Sequence, residues 1–205
     1  TMNLHGSLLP AYRGAAPIQW AIIKGESVTG LTTFMLKHEI DTGSILEIVE
    51  IPITSEDDAG TLHDRMAFTG AGLVLGSVDL IASGKAVFRP QDENQCSHAP
   101  KINQETAHIH WDQPVREVIN LIRGMSPFPG AWTLLDGVLW KIFRATNFSQ
   151  NLVHPVGYLS YLDGKLIVQA QDGELEILEV QLAGKKRMSV AEFMKGYKVK
   201  DWLLT

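Results

Sequence analysis

Cysteine is almost absent from this chain: Cys96 is the only one among 205 residues. A single thiol excludes an intramolecular disulfide and suits a reducing compartment. Cys96 lies in the polar stretch Gln91–His98 and reads as a bystander rather than a nucleophile. No apolar run approaches the ~20 residues of a membrane span, and no leader peptide is visible at the start. These absences predict a cytoplasmic protein without membrane contact. A metal-ligand set is lacking too. His98, His108 and His110 have suggestive spacing, but no carboxylate or cysteine set completes a coordination sphere, so no metal is expected.

What is present suits a globular protein: 45% hydrophobic and 20% charged residues, with length for one large or two small domains. The net charge of −5 hides an asymmetry. Residues 1–100 hold six Lys/Arg against twelve Asp/Glu, giving −6, and residues 101–205 hold twelve against eleven, giving +1. The second half is therefore the better landing place for a polyanion.

Two grammars follow one another along the chain. In the first, Ala15–Ile23 predicts a short helix entered at Pro17 and ended by Gly25, and Leu31–Leu36 and Ile45–Ile53 predict strands. Thr61–Ala82 predicts a longer helix with Leu62, Met66, Leu73, Leu80 and Ile81 facing inward and Gly84 closing it. This is too little to cover both faces of a parallel sheet, so half of an α/β domain is expected. The polar stretch Phe88–Lys101 contains the linker. Beyond it, Asp112-Gln113-Pro114 opens a helix with Val115, Val118, Ile119 and Ile122 on one face and Gly124 as its cap. Short alternating strands then surround Asp136-Gly137, Asp163-Gly164 and Asp172-Gly173, the chemistry of two-residue hairpins. Ser189 with Glu192 forms a capping box for a last helix. The pattern predicts a small β-barrel.

The chemistry concentrates at the start. In Asn3-Leu4-His5-Gly6-Ser7-Leu8-Leu9-Pro10, Asn3 and His5 are two apart, so on an extended backbone they face one side. An amide can donate to a developing oxyanion, and an imidazole can donate or move a proton near neutral pH. Asp41, in Asp41-Thr42-Gly43, can orient that histidine and accept a proton. No nucleophile with a base lies beside them, which favours direct transfer to an attacking group on a substrate. A plainer reading, in which Asn3 and His5 cap one turn and Asp41 begins another, fits the same residues. Asn3 stands so near the terminus that a preceding segment of the protein is expected to complete the site.

The segment resembles the folate-dependent formyltransferases. The likeness continues through Tyr12-Arg13-Gly14-Ala15-Ala16-Pro17, Thr29-Gly30-Leu31-Thr32, Asp41-Thr42-Gly43, Ile109-His110-Trp111, Ile122–Pro129 and Ala183–Ser189. It is strongest to the branch that acts on methionyl initiator tRNA. The resemblance implies the C-terminal half of a Rossmann-like catalytic domain over residues 1–90. A linker at 91–100 and an OB-like β-barrel that contacts tRNA over 101–205 would follow. It implies 10-formyltetrahydrofolate as co-substrate and the methionyl α-amino group as acceptor, in an enzyme monomeric when intact. Asn3, His5 and Asp41 would be catalytic, and Ser7, Leu8, Leu9 and Pro10 would lie against the folate. Arg13 would anchor anionic substrate groups or serve its own turn. Lys185, Lys186 and Arg187, joined by Lys195, Lys198 and Lys200, would meet phosphates. Trp132, Trp140 and Phe143 read as barrel core, His38 as a solvated strand end, and His63-Asp64 as an exposed helix face. A sugar-nucleotide formyltransferase, a formyltetrahydrofolate hydrolase and an inactive tRNA-binding fragment are the alternatives.

Overall fold

In a computed structural model, which describes residues 1–148, 154–197 and 202–204, the chain divides into two units, Thr1–Ile102 and Asn103–Thr205. The first unit is built on three antiparallel strands in the order β1 (Met2–His5), β2 (Val28–Met35) and β3 (Ile45–Pro52). Alternation along β2 assigns its two faces. Leu31 and Thr33 meet helix α2 (Ala59–Ala82): Leu31 packs with Leu62 and Met66, and Thr33 bonds the Ser77 hydroxyl at 2.8 Å. Helix α1 (Pro17–Ile23) adds Ala21 and Ile22 to the same core. Each large side chain buried there is worth roughly 1.5–3 kcal/mol relative to exposure.

The other face of β2 carries Gly30, Thr32 and Phe34 and is covered by the chain's own loop. Phe34 clusters with Leu9 and Ile45, and the Thr32 hydroxyl accepts from Leu9 N–H and donates to the Ser7 carbonyl. Gly30 is needed here, because a Cβ would run into the Leu8 side chain and the Val49 carbonyl.

Helix α2 starts two residues before the predicted Thr61, with Asp58 and Thr61 forming its capping box. Its inward stripe is shorter than expected. Leu62 and Met66 are buried and Leu73 is half-buried, whereas Ile81 is exposed along with Phe68 and Leu75. The drift arises because Gly70 and Ser77, not the larger residues, occupy the closest approach to the sheet. By length and mean hydropathy (1.3) α2 would suffice to cross a membrane, contrary to the reading of the sequence. Its glycines and alanines interrupt the run of large apolar residues without making it polar.

The polar stretch 91–100 is tied to the first unit rather than strung out as a tether. Arg13 N–H donates to Ser97 O, Ala99 N–H to Arg13 O, and Trp20 Nε1–H to Pro100 O. Polarity and proline mark irregular backbone, and irregular backbone still needs hydrogen-bond partners.

In the second unit helix α3 (Val115–Met125) lies against antiparallel strands β4 (Ala131–Leu135) and β5 (Val138–Phe148). Strands β6 (Tyr158–Leu162), β7 (Lys165–Gln169), β8 (Glu174–Leu182), β9 (Met188–Ser189) and β10 (Trp202–Leu203) complete the sheet, with helix α4 (Val190–Gly196) after β9. The order is β10-β6-β7-β8-β5-β4, with β9 beside β8. Among the described residues this is an open path, not a closed barrel. Asp136-Gly137 and Asp163-Gly164 form the expected hairpins, both residues of each pair having positive φ. Asp172-Gly173 does not. Its loop is longer, and the Asp172 carboxylate instead accepts the Val115 N–H at 2.7 Å. Pro114, the N-cap of α3, has no side-chain acceptor to offer, so a distant loop supplies the cap. The helix also runs through Gly124 to Met125.

Candidate functional site

Strand pairing decides which way the N-terminal motif faces. Asn3 lies opposite Phe34 and His5 opposite Thr32, so both point to the loop-covered face of the sheet, away from α2. His5 is buried, with its ring edge-on to Phe34 at 6.4 Å. Its Nε2 lies 2.9 Å from the Tyr12 carbonyl. A carbonyl can only accept, so Nε2 carries the proton and the ring's Nδ1 edge is turned to Asp41. Nδ1 stands 3.6 Å from Asp41 Oδ2, and both side chains are largely buried. Asn3 is exposed. Its oxygen accepts from Leu4 N–H at 2.9 Å, leaving the amide nitrogen without a partner among the described residues.

Asp41 reaches the histidine from a turn after β2. The turn is held at its neck by Met35 N–H to Ser44 O, and Asp41 adopts φ 55, a left-handed conformation that costs a non-glycine residue about 1 kcal/mol. Gly43 is obligatory beside it, because a Cβ there would overlap the Met35 carbonyl. The carboxylate accepts the Gly14 N–H at 2.9 Å. The structure therefore brings Asn3, His5 and Asp41 to one side of one sheet, with His5 and Asp41 in register.

The flanking residues divide. Ser7 is buried, its hydroxyl donating to Ala11 O at 2.5 Å, and Leu9 is in the core. Leu8 and Pro10 keep partial exposure. Arg13 is only 6% exposed. Its Nε and Nη2 donate to Gln91 Oε1 at 3.0 and 2.7 Å, and Nη1 and Nη2 donate to the Glu93 carboxylate at 2.8 Å each. The guanidinium is thus engaged by side chains 78 and 80 positions away, outside its own turn. Glu93 in return holds Arg13 firmly charged, and the Arg13 guanidinium keeps the Glu93 carboxyl below its ordinary range. Burial, helped by the hydrogen bond to Glu26, pushes the Tyr12 phenol up, so it stays a neutral donor.

Gln91 escaped sequence reading. It sits in a polar run without a motif, and its partners are more than forty residues away. Tyr12 contributes through its carbonyl, which has no residue-type signal at all.

In the second unit, Lys185 and Lys186 are exposed on the turn after β8. Arg187 is engaged: Nη2 meets Glu179 at 2.6 Å and the guanidinium lies 4.4 Å over the Phe143 ring. Lys195 is exposed on α4, and Lys198 and Lys200 lie outside the described residues. Trp140 and Phe143 are buried, whereas Trp132 is half-exposed with His108 stacked on it at 4.2 Å.

Comparison with known proteins bears on both units. Residues 1–76 match the formyl transferase family model and residues 101–198 the formyl transferase C-terminal domain. A methionyl-tRNA formyltransferase of Parabacteroides distasonis is 46% identical over 97% of this chain. The chain spans 64% of that relative's length. Among solved structures, HypX from Aquifex aeolicus in complex with tetrahydrofolic acid superposes with TM-score 0.74 at 21% identity, covering 95% of this chain and 34% of HypX. The N-formyltransferase of Helicobacter canadensis, with folinic acid and dTDP-3-aminofucose, gives 0.71 at 22%, covering 86% and 65%. With both family domains matched in order, this chain belongs to the formyl transferase family.

Proposed function

We propose that the chain carries the site for transfer of a formyl group from 10-formyltetrahydrofolate to the α-amino group of methionyl initiator tRNA. The observation that carries this is the His5 ring: Nε2 is committed to the Tyr12 carbonyl and Nδ1 faces the Asp41 carboxylate at 3.6 Å, on the same face as Asn3. That separation exceeds a hydrogen bond and leaves the Nδ1 edge as the one a substrate meets. The folate co-substrate would supply the formyl group as an acyl donor. Asn3 Nδ2–H and, with the ring as an imidazolium, His5 Nδ1–H would donate to the oxygen of the carbonyl under attack, which becomes negative as the new C–N bond forms. Asp41 would keep an adjacent imidazolium paired until it accepts the proton that the amine loses, and that proton would then pass to the folate nitrogen as its bond to the formyl carbon breaks. Leu8 and Pro10 present the half-exposed apolar surface suited to the folate, while Ser7 and Leu9 shape the loop from within.

Lys185 and Lys186 are assigned to phosphate contact, with Arg187 in a supporting place beside Glu179. The register shifts in β5 between Ile142 and Ala145 support an OB-like barrel, since such bulges bend a strand. The Rossmann-like reading of the first unit belongs to the same proposal. The likeness to the Helicobacter canadensis enzyme favours one second reading, transfer to an amino sugar nucleotide.

The test is formyl transfer to methionyl initiator tRNA and to a dTDP-amino sugar, by this chain alone and by the chain grafted over the matching stretch of the Parabacteroides distasonis relative. Turnover of the tRNA that falls ~10²–10³-fold in His5→Ala is expected. A graft that formylates only the sugar nucleotide, or is indifferent to His5→Ala, overturns the reading.

A further inference from the structure

The Asp41 turn is exposed on its outer side, and its own neck bond does not fix where the carboxylate stands. Residues 38–40 are exposed, and Asp41 itself is in a left-handed conformation. Within the turn the Thr42 hydroxyl donates to Glu39 O at 3.1 Å, and the bonds that tie the turn to the rest of the unit come from elsewhere. The Gln91 side-chain nitrogen donates to Asp41 O at 2.7 Å and to Gly43 O at 2.8 Å, spanning the turn. The oxygen of the same amide accepts twice from Arg13. This fixes the orientation of the amide without ambiguity. A guanidinium only donates and a carbonyl only accepts, so a flipped Gln91 would set N–H against N–H and oxygen against two carbonyls. Arg13 is itself locked by Glu93 and buried.

We infer that Gln91 is a positioning residue of the site: its carboxamide, oriented by Arg13, sets the Asp41 carboxylate against His5 and the Gly14 N–H. The inference rests on the formyl-transfer reading for its functional consequence, but its geometric half stands independently. It gives Arg13, itself buried, a role behind Gln91.

Gln91→Glu isolates the claim. The new side chain has the same size and still accepts from Arg13, with added charge attraction, but it loses both donors to the turn and sets an anion against two carbonyls. A residue that merely anchored Arg13 and the 91–99 stretch would tolerate this change. Amide exchange read residue by residue on the 205-residue chain is the direct measurement. In Gln91→Glu the Gly14 amide, which donates to Asp41, is expected to lose protection about tenfold or more. The Ala99 amide, which donates to Arg13 O, should remain as in wild type, showing that the unit is folded. Gln91→Leu should match Gln91→Glu at Gly14, and Gln91→Asn, one methylene shorter, should not restore it. In formyl transfer, kcat should fall about 10- to 100-fold with KM for both substrates within about twofold. Unchanged Gly14 protection in Gln91→Glu overturns the inference. Equal loss at Gly14 and Ala99 does so too, because it reports general loosening. Absence of turnover in the graft with Gln91 intact would instead count against the formyl-transfer reading and leave the exchange result standing.

Discussion

The two units use their interiors differently. Among the described residues, the first buries His5, Ser7, Arg13, Thr29, Thr32, Thr33, Asp57 and Ser77, and the second buries only Asn120, Ser126, Thr133 and Glu174 among polar side chains. The second fills itself with Trp140, Ile142, Leu159, Leu166, Val168 and Phe193. A buried polar group is costly without partners, so the first unit carries a set of directed hydrogen bonds: Arg65 to Asp57, Ser77 to Glu47, Arg13 to Gln91. Those bonds fix angles and distances that apolar contact leaves soft. The unit holding the candidate catalytic residues buries more of its polar groups, and among the described residues the unit assigned to a large polyanion buries one charged side chain, Glu174.

Substitutions in each interior put this contrast to the test. The largest effect is expected at Trp140, fully buried beside Phe193. Trp140→Ala should cost about 3–5 kcal/mol in chemical denaturation. Trp140→Phe should cost far less, since the indole N–H has no acceptor among the described residues. If Trp140→Phe were as damaging as alanine, the second interior would depend on a polar contact after all.

Next is Asp57, which accepts from Arg65 through both oxygens and from Thr54 through its N–H and hydroxyl. Asp57→Asn should lower stability by about 1–3 kcal/mol at pH 7. The Arg65 hydrogen bond, reinforced by Thr54, holds the Asp57 carboxyl well below the usual carboxylate range. A depressed folded-state value means that stability is present above the unfolded value near ~3.9 and is lost as pH falls further. Melting temperatures of wild type and Asp57→Asn should therefore converge below about pH 4 and remain apart from pH 5 upward.

Ser77→Ala is expected to be milder, about 1–2 kcal/mol. It removes the hydroxyl linking Thr33 to Glu47 on the face of α2 toward the sheet, and a urea midpoint shift with an unchanged slope would register it. The smallest stability effect belongs to Arg187→Gln. Its pair with Glu179 is partly solvated on both sides, so the loss should stay under about 1 kcal/mol. For Lys185→Ala with Lys186→Ala, the slope of tRNA affinity against salt should flatten by about two units. An unchanged slope would remove these lysines from the phosphate contact.

How far the sequence reached depends on how local each signal is. Helix α1 with its entering Pro17 and the capping box Ser189-Glu192 were legible because every partner lies within a few residues, and strands β2 and β3 because their β-branched and aromatic residues mark extended backbone. Asn3, His5 and Asp41 were legible as residue types beside glycine turns. Asp172 was misread as a hairpin residue because its service to Val115 crosses 57 positions of sequence. Gln91 was passed over for the same reason, and Ile81 was turned inward by a periodicity that small residues at the real contact did not show.

Local sequence fixed where most of the turns fall, which segments are extended or helical, and which side chains can donate, accept or move a proton. Those properties follow from φ/ψ preference, alternation and the chemistry of single residues. Long-range packing settled that the Tyr12 carbonyl accepts a hydrogen bond from His5 Nε2–H, that Arg13 faces Gln91 and Glu93, and that Gln91 spans the Asp41 turn. A hydrogen bond depends on two atoms meeting at about 3 Å, and where distant segments meet is set by the packing of the sheet, not by either segment alone.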